Sequence, residues 1–257
     1  MHAMNDFALI MPMAGRGSRF SRLGIATPKP LIEIAGKPFF WWAVQSLRRS
    51  MPLREMIFVV LDEHCGQFDI ERRILALYPQ ARIARVPDIT SGAAETAAIG
   101  LRLLCSAGPV AINDCDHAFQ CNALGALNGS GQLFDADQAV AALMCFRSDN
   151  PAYSYALLDD GGVVNGTVEK RAASPYAIAG CYLFADAALF LRVFDAYRAQ
   201  CPYDELFISG IYNLLAARGA RLKLLPLERH WSFGTPEEYQ RLEAAELVRA
   251  FEGAARS

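Results

Sequence analysis

Three observations predict an α/β fold with a mixed, mostly parallel central sheet covered by helices on both faces. Short, continuous apolar runs recur at 7–11, 56–61 and 109–113, the mark of strands buried on both sides. Helix-forming stretches separate them, giving a βαβα rhythm. The chain of 257 residues is 53% hydrophobic and 20% charged, which supplies apolar material for a large core.

The elements are justified in order. Phe7 to Met11 is the first buried strand, and a Gly- and Pro-rich loop runs from Pro12 to Pro30. Pro38 opens a helix over FFWWAVQSLRRS, because proline suits the first helical turn. MIFVVL (56–61) is a strand, 68–77 a helix, ARIARV (81–86) a strand and 93–104 an Ala-rich helix. PVAIN (109–113) is a strand that ends in Asp114-Cys115-Asp116. After residue 135 strands are expected at 139–146, 153–159, 163–170 and 176–184, with a hairpin turn at Asp160-Gly161-Gly162. Helices at 186–199 and 205–217, a strand at 221–225 and a last amphipathic helix from Pro236 complete the chain. No repeat or linker interrupts this pattern. One domain over 1–257 is therefore expected, with a first half to about 135 and a β-rich second half over about 136–245.

Lys and Arg total 25 against 27 Asp and Glu, a net charge of -2. That balance argues against nucleic acid or an anionic membrane as partner, since neither would be held by bulk charge. No apolar run approaches the roughly 20 residues of a membrane span. The basic residues follow the first apolar run, the wrong order for a signal peptide. The seven cysteines lie without CxxC pairs, which suggests a reducing, cytoplasmic location and not a disulfide framework. Cys115, His117 and Cys121 read as buried groups near a strand end, not as a zinc site.

Positive charge is local. Residues 1–37 contain Arg16, Arg19, Arg22, Lys29 and Lys37 but only Asp6 and Glu33 as acids. The loop Met13-Ala14-Gly15-Arg16-Gly17-Ser18-Arg19-Phe20 follows a buried strand, where open α/β sheets bind ligands. Its two glycines allow a tight turn that aims N–H groups at a phosphate. It lacks the GxGxxG of a dinucleotide site. Thr27-Pro28-Lys29-Pro30-Leu31 should stay extended and hold Lys29 on a stiff segment.

The combination of PMAGRGSRF with PKPLIEIAGKP resembles the bacterial sugar-phosphate nucleotidyltransferases, the NDP-sugar pyrophosphorylases. It is most similar to a branch associated with capsule and polysaccharide biosynthesis. The resemblance runs in collinear order from about residue 7 to 245. It implies a Rossmann-like, GT-A-like three-layer αβα sandwich with a sugar-binding β insertion. It also implies a nucleoside triphosphate and a sugar 1-phosphate as substrates and Mg²⁺ as cofactor. A length of 257 fits one catalytic domain without the C-terminal extension of some relatives.

Site residues follow from the resemblance. Met13, Ala14, Gly15, Arg16, Gly17 and Ser18 would wrap the triphosphate, and Arg19 and Lys29 would neutralise it. Ser91, Gly92 and Ala93 match a base-binding turn; read from the residues alone, Thr90 or Ser91 with Glu95 is equally a helix cap. Asp116 matches the metal aspartate, and a hard carboxylate suits Mg²⁺. Asp114, two residues earlier, either faces the same way as a second ligand or caps a loop. Glu169 would meet sugar hydroxyls and Lys170 the acceptor phosphate, although lysine is also common at a strand edge. Gly180 would let the acceptor approach a strand backbone, or it marks a bulge. Glu205 matches a sugar-facing acid on a helix, with Phe207, Ile211 and Leu214 as that helix's core stripe.

Trp231-Ser232-Phe233-Gly234-Thr235-Pro236-Glu237-Glu238 matches the family's DxGTPEDL segment with one departure: Ser232 stands where many members carry a second metal-binding aspartate. Three alternatives to the sugar nucleotidyltransferase stay open, and Ser232 suggests the last of them. One is a glycosyltransferase that uses Asp114-Cys115-Asp116 as a DxD motif. Another is a phosphocholine-type cytidylyltransferase. The third is a non-catalytic nucleotide-binding homologue.

Overall fold

The computed structural model describes residues 5–134 and 139–252. The boundary expected at about 135 lies outside the described residues. Strand β1 (Phe7–Met13) leads into the glycine loop, a one-turn helix α1 (Ser18–Ser21) and a 3-10 turn at Lys29–Leu31. A small hairpin of β2 (Glu33–Ile34) and β3 (Lys37–Pro38) delivers helix α2 (Phe39–Arg48). Strand β4 (Leu53–Leu61) is followed by helices α3 (Asp62–Phe68) and α4 (Ile70–Leu77). Then come β5 (Arg82–Val86), α5 (Ala93–Leu101) and β6 (Val110–Asn113).

The second half opens with β7 (His117–Gln120), α6 (Asn122–Gly129) and β8 (Ala139–Arg147). Strands β9 (Tyr155–Leu158) and β10 (Val164–Val168) form the expected hairpin. In its turn the Asp159 carboxylate accepts from the N–H groups of Gly161 and Val163. Strand β11 (Tyr176–Phe184), helices α7 (Ala187–Gln200) and α8 (Ser209–Ala217) and strand β12 (Arg221–Pro226) follow. Strand β13 (Arg229–Ser232) and helices α9 (Pro236–Arg241) and α10 (Ala244–Phe251) end the described chain.

Among the described residues the main sheet has nine strands. Parallel pairs join β5 to β4, β4 to β1 and β1 to β6, and β11 then enters antiparallel to β6. Beyond it, β8 pairs antiparallel with β11 and parallel with β12, while β9 and β10 extend from the start of β11. The sheet is therefore mixed but mostly parallel in its first half, as predicted. Alternation along β1 explains the three layers. Phe7, Leu9 and Met11 enter an apolar cluster with α2 and α4, while Ala8 and Ile10 enter one with α5, α7 and α8.

A third cluster positions the site. Phe20 of α1, Phe39 of α2 and Phe233 after β13 pack together with Trp42, Trp231 and Phe251. Burying these aromatics locks the glycine loop to the chain's last elements; each ring removed from water is worth up to about 3 kcal/mol.

Several expectations need correction. The helix expected over 68–77 starts at Ile70, because Asp69 takes a left-handed conformation (φ 53°) that ends α3. The helix expected from 205 starts at Ser209, so Glu205 and Phe207 lie in the preceding loop. The buried face of α8 is Ile211, Tyr212 and Leu215, not the stripe through Phe207. Lys29–Leu31 is not extended: Pro30 sits in the first turn of the 3-10 turn, where its missing N–H is no loss. The helix from Pro236 is two helices, split at Leu242. Strands β7 and β13 pair only with each other, across more than a hundred residues, so no local pattern announced them.

Candidate active site

Because β1, β4, β5 and β6 are parallel, their carboxyl ends share one edge of the sheet. The glycine loop, the turn at 89–93 and the segment Asp114–Asp116 emerge there. With Lys29, Pro30, Thr96, Asp204 and Glu205 they line a cleft of about 680 Å³. The left-handed Gly17 (φ 62°) turns the loop over Lys29, where even a Cβ would be tight, 3.1 Å from the Lys29 Cβ.

At the cleft floor Lys29 Nζ donates to Asp116 Oδ2 at 2.7 Å, with the two side chains 28% and 22% exposed. Burial alone would lower the lysine's pKa; the charge and hydrogen bond of Asp116, with a smaller pull from Asp114, outweigh it and hold Lys29 above its ordinary value. Burial would likewise raise Asp116, but the charge and hydrogen bond of Lys29 keep it below the usual carboxylate range. Asp114 lacks a cation of its own. Burial and the neighbouring Asp116 push it up to about 7, against the attraction of Lys29.

Two glycines press on these acids. A Cβ on Gly234 would come within 2.4 Å of Asp116 Oδ2, and one on Gly180 within 2.6 Å of Asp114 Oδ2. Gly180 (φ 67°) sits at an irregularity in the β11 register, and its carbonyl accepts from the Asp114 N–H at 2.9 Å. The bulge and the close approach are thus one feature.

A second pocket of about 210 Å³ shares Lys29, Asp114 and Asp116 with the first. Its other walls come from Arg19, His117, Tyr153, Ser154, the 178–182 stretch of β11, His230, Ser232 and Glu238. Tyr153 donates to Glu238 Oε1 at 2.5 Å, and the other Glu238 oxygen accepts from the Thr235 N–H in a capping box that starts α9. Ser232 lies opposite His117 in the β7–β13 pair.

In the turn at 90–93, neither Thr90 nor Ser91 caps α5: the helix's N-cap is Gly92, and no side chain caps it. Glu95 accepts from the Ser91 N–H at 2.7 Å, and Ser91, Gly92 and Ala93 line the larger cleft. The turn is fastened to Leu206, whose N–H donates to Ser91 O and whose carbonyl accepts from Ala94 N–H, both at 2.8 Å.

Of the site residues expected from sequence, Met13 to Ser18, Lys29, Ser91 to Ala93, Asp114 and Asp116 share the larger cleft, joined there by Glu205. Gly180 and Arg19 line the smaller pocket. Glu169 is outside both linings: its two oxygens accept from Ser154 and Ser209. Lys170, just past β10 with φ 50°, rests over the Phe207 ring at 5.0 Å. Sequence reasoning missed Asp204, His117, Tyr153, Ser154, His230 and Glu238. Glu238 stood inside a quoted motif, Asp204 stood beside Glu205, and His117 was read only as a buried group near a strand end; Tyr153, Ser154 and His230 were given no site role.

His117 is 3% exposed, and burial lowers it to about 4, against the attraction of Asp116. Its Nε2 faces Asn113 Oδ1 at 3.1 Å. An unfolded histidine protonates near 6.5, so between pH 6.5 and about 4 the unfolded chain holds the extra proton. The part of the stability that rests on His117 is therefore expected to be full above pH 6.5 and to fall as pH drops, by up to about 3 kcal/mol. Urea unfolding from pH 7 to 4.5 checks it: His117→Gln should flatten the slope, and an unchanged slope would exclude His117 as its source.

No helix among the described residues is long and apolar enough to cross a membrane. Among them, too, no three His, Cys, Asp or Glu side chains are grouped to hold a metal.

Comparison with known proteins agrees with this architecture. The chain is 29% identical over 232 residues to the bifunctional protein GlmU of Kineococcus radiotolerans, covering 87% of this chain and 45% of that protein. The chain thus spans about half the length of that curated relative. A nucleoside-diphosphate-sugar pyrophosphorylase from Vibrio cholerae shares the fold at a TM-score of 0.75 and 23% identity, covering 94% of this chain and 99% of that one. The inositol-1-phosphate CTP transferase of T. maritima does so at 0.77 and 14%, covering 98% and 99%. The nucleotidyl transferase family model matches residues 8–247, from β1 into α10, and the chain accordingly belongs to that family.

Proposed function

We propose that the protein joins a nucleoside triphosphate to a sugar 1-phosphate, or a similar phosphomonoester, giving a nucleotide sugar and pyrophosphate, with a role in polysaccharide precursor supply. The observation that carries this reading is the shared floor: Lys29, Asp114 and Asp116 line both the larger cleft and the smaller pocket. The larger cleft takes the triphosphate, its phosphates against Met13–Ser18 and its base against Ser91–Ala93. The smaller pocket takes the acceptor beside Gly180. Residues before about 135 then handle mainly the nucleotide, and those over about 136–245 mainly the acceptor.

An acceptor phosphate oxygen attacks the α-phosphorus as the bond to the pyrophosphate oxygen breaks. The acceptor is already an anion, so no proton has to move. The protein contributes alignment and charge. Lys29 faces the reacting phosphates, Arg19 meets them from the pocket side, and Lys170 leaves the Phe207 ring for the acceptor phosphate. Glu169 and Glu205 orient substrate hydroxyls.

Asp114 and Asp116 fit a divalent cation, because two half-buried carboxylates line the same floor, Lys29 pairs with Asp116, and burial and the neighbouring Asp116 push Asp114 up to about 7. Asp116, with Asp114, would hold Mg²⁺, which takes oxygen ligands and accepts the remainder from phosphates and water. When bound, it supplies charge neutralisation at the phosphates.

The test is a screen of ATP, GTP, CTP and UTP, each with sugar 1-phosphates, inositol 1-phosphate and phosphocholine, read by pyrophosphate release with and without Mg²⁺. Release with one sugar 1-phosphate supports the reading. Release only with phosphocholine reassigns the acceptor. Tight nucleotide binding without turnover on any pair overturns the catalytic reading. Turnover of a preformed nucleotide sugar would favour the glycosyltransferase.

A further inference from the structure

The glycine loop carries a cation whose partners lie outside the reaction centre. Arg16 Nη2 is 3.0 Å from Asp88 Oδ1, and Arg16 Nε is 3.6 Å from Glu63 Oε1. Asp88 follows β5 and Glu63 opens α3 after β4, so they sit beyond the carboxyl ends of the two strands that succeed β1 on one side of the sheet. Asp88 is itself held, since the same Oδ1 accepts from the Ile89 N–H at 2.7 Å. It immediately precedes the turn that forms the opposite wall of the larger cleft. Arg16 thus ties the phosphate loop to the 89–93 turn across the cleft.

The tie is built to exchange. Arg16 and Asp88 side chains are 55% and 69% exposed, and Glu63 43%, so each pair is weak. Arg16 stands between Gly15 and Gly17, and space around Gly15 is open. An arginine fork binds phosphate oxygens at least as well as a carboxylate.

We propose that Asp88 and Glu63 hold Arg16 in reserve, and that a bound polyphosphate draws it away from them, so that this acidic pair sets how tightly the enzyme takes its triphosphate. The inference rests on the placement of the triphosphate in the larger cleft. It makes Asp88 and Glu63 tuning residues and Arg16 a positioning residue.

The test is calorimetric titration of the intact protein with ATP, GTP, CTP and UTP in magnesium buffer, and with inorganic tripolyphosphate, which has no base. In Asp88→Asn/Glu63→Gln, affinity for the bound triphosphate and for tripolyphosphate should rise about two- to fivefold, the range of an exposed ion pair. The gain should shrink in 1 M salt, where the screening length is about 3 Å. Maximal turnover should not change while KM for the triphosphate falls. Arg16→Gln should weaken binding, Arg16→Lys should restore part of it, and adding Arg16→Gln to the double variant should abolish its gain. Unchanged or weaker binding in the double variant, with the unmodified protein binding normally, overturns the exchange alone. If the unmodified protein binds neither any triphosphate nor tripolyphosphate, the placement of the nucleotide falls with it.

Discussion

Asp116→Asn is expected to slow pyrophosphate release by about 100-fold or more, the usual effect of removing one preorganised charge at a reacting phosphate. The substitution keeps shape and removes charge. It takes away the acid that Lys29 contacts at 2.7 Å and the carboxylate best suited to a divalent cation. Lys29 then keeps its burial without the charge that offsets it, and its pKa falls. Folding stability should drop as well. Breaking a buried ion pair costs about 3–5 kcal/mol, and the residual exposure of this one places it at or below the lower end of that range. Lys29→Met alone should be similarly slow. The pair Lys29→Met/Asp116→Asn should be no slower than the worse single variant and should recover part of the lost stability. Turnover and urea unfolding of all four proteins close the cycle. Additive losses in both measurements would mean that the two side chains act independently, against the geometry described.

Gly92→Ala is expected to be the most damaging single-methyl change. Gly92 has φ 147° and ψ 176°, a region open essentially to glycine alone. A Cβ there would lie 2.5 Å from the Leu206 nitrogen and 2.7 Å from its carbonyl oxygen. Backbone cannot swing away as a side chain can. The two hydrogen bonds that clamp the 90–94 turn to Leu206 must therefore open. Strain and overpacking together should cost about 3 kcal/mol or more. In a chain of this size that lowers the melting temperature by about 6–12 °C. The same displacement shifts Ser91–Ala93 relative to Asp204 and Glu205, which line the same cleft, so KM for the triphosphate should rise more than kcat falls. Thermal unfolding beside steady-state kinetics decides it. A variant with native stability would show that the turn can leave Leu206 at little cost.

Much of this protein was legible along the chain because the information was local. Buried strands announce themselves as unbroken apolar runs, so β1, β4 and β6 were found nearly at their true bounds. Glycine and proline mark turns by their own backbone limits, which made the glycine loop and the 159–163 turn readable. The motif residues at 13–18, 29, 91–93 and 114–116 converge on one cleft because parallel strands deliver their following loops to one edge.

What depended on partners far along the chain stayed hidden. β7 and β13 exist only because each pairs with the other, and that pairing brings Ser232 and His230 beside Asp116's pocket. Asp69 ends a helix through a left-handed backbone that no pattern of apolar residues encodes. Glu205 was expected on a helix, yet it stands in a loop held by Leu206 to the turn at 91–94. Arg16 looked like one more phosphate ligand until folding set Asp88 and Glu63 next to it. Local patterns determine which segments are buried and where the chain turns, since burial period and backbone limits are properties of a few neighbouring residues. Tertiary structure alone decides which charges meet, because Coulomb energy depends on distance in space and on burial, and neither can be read along the chain.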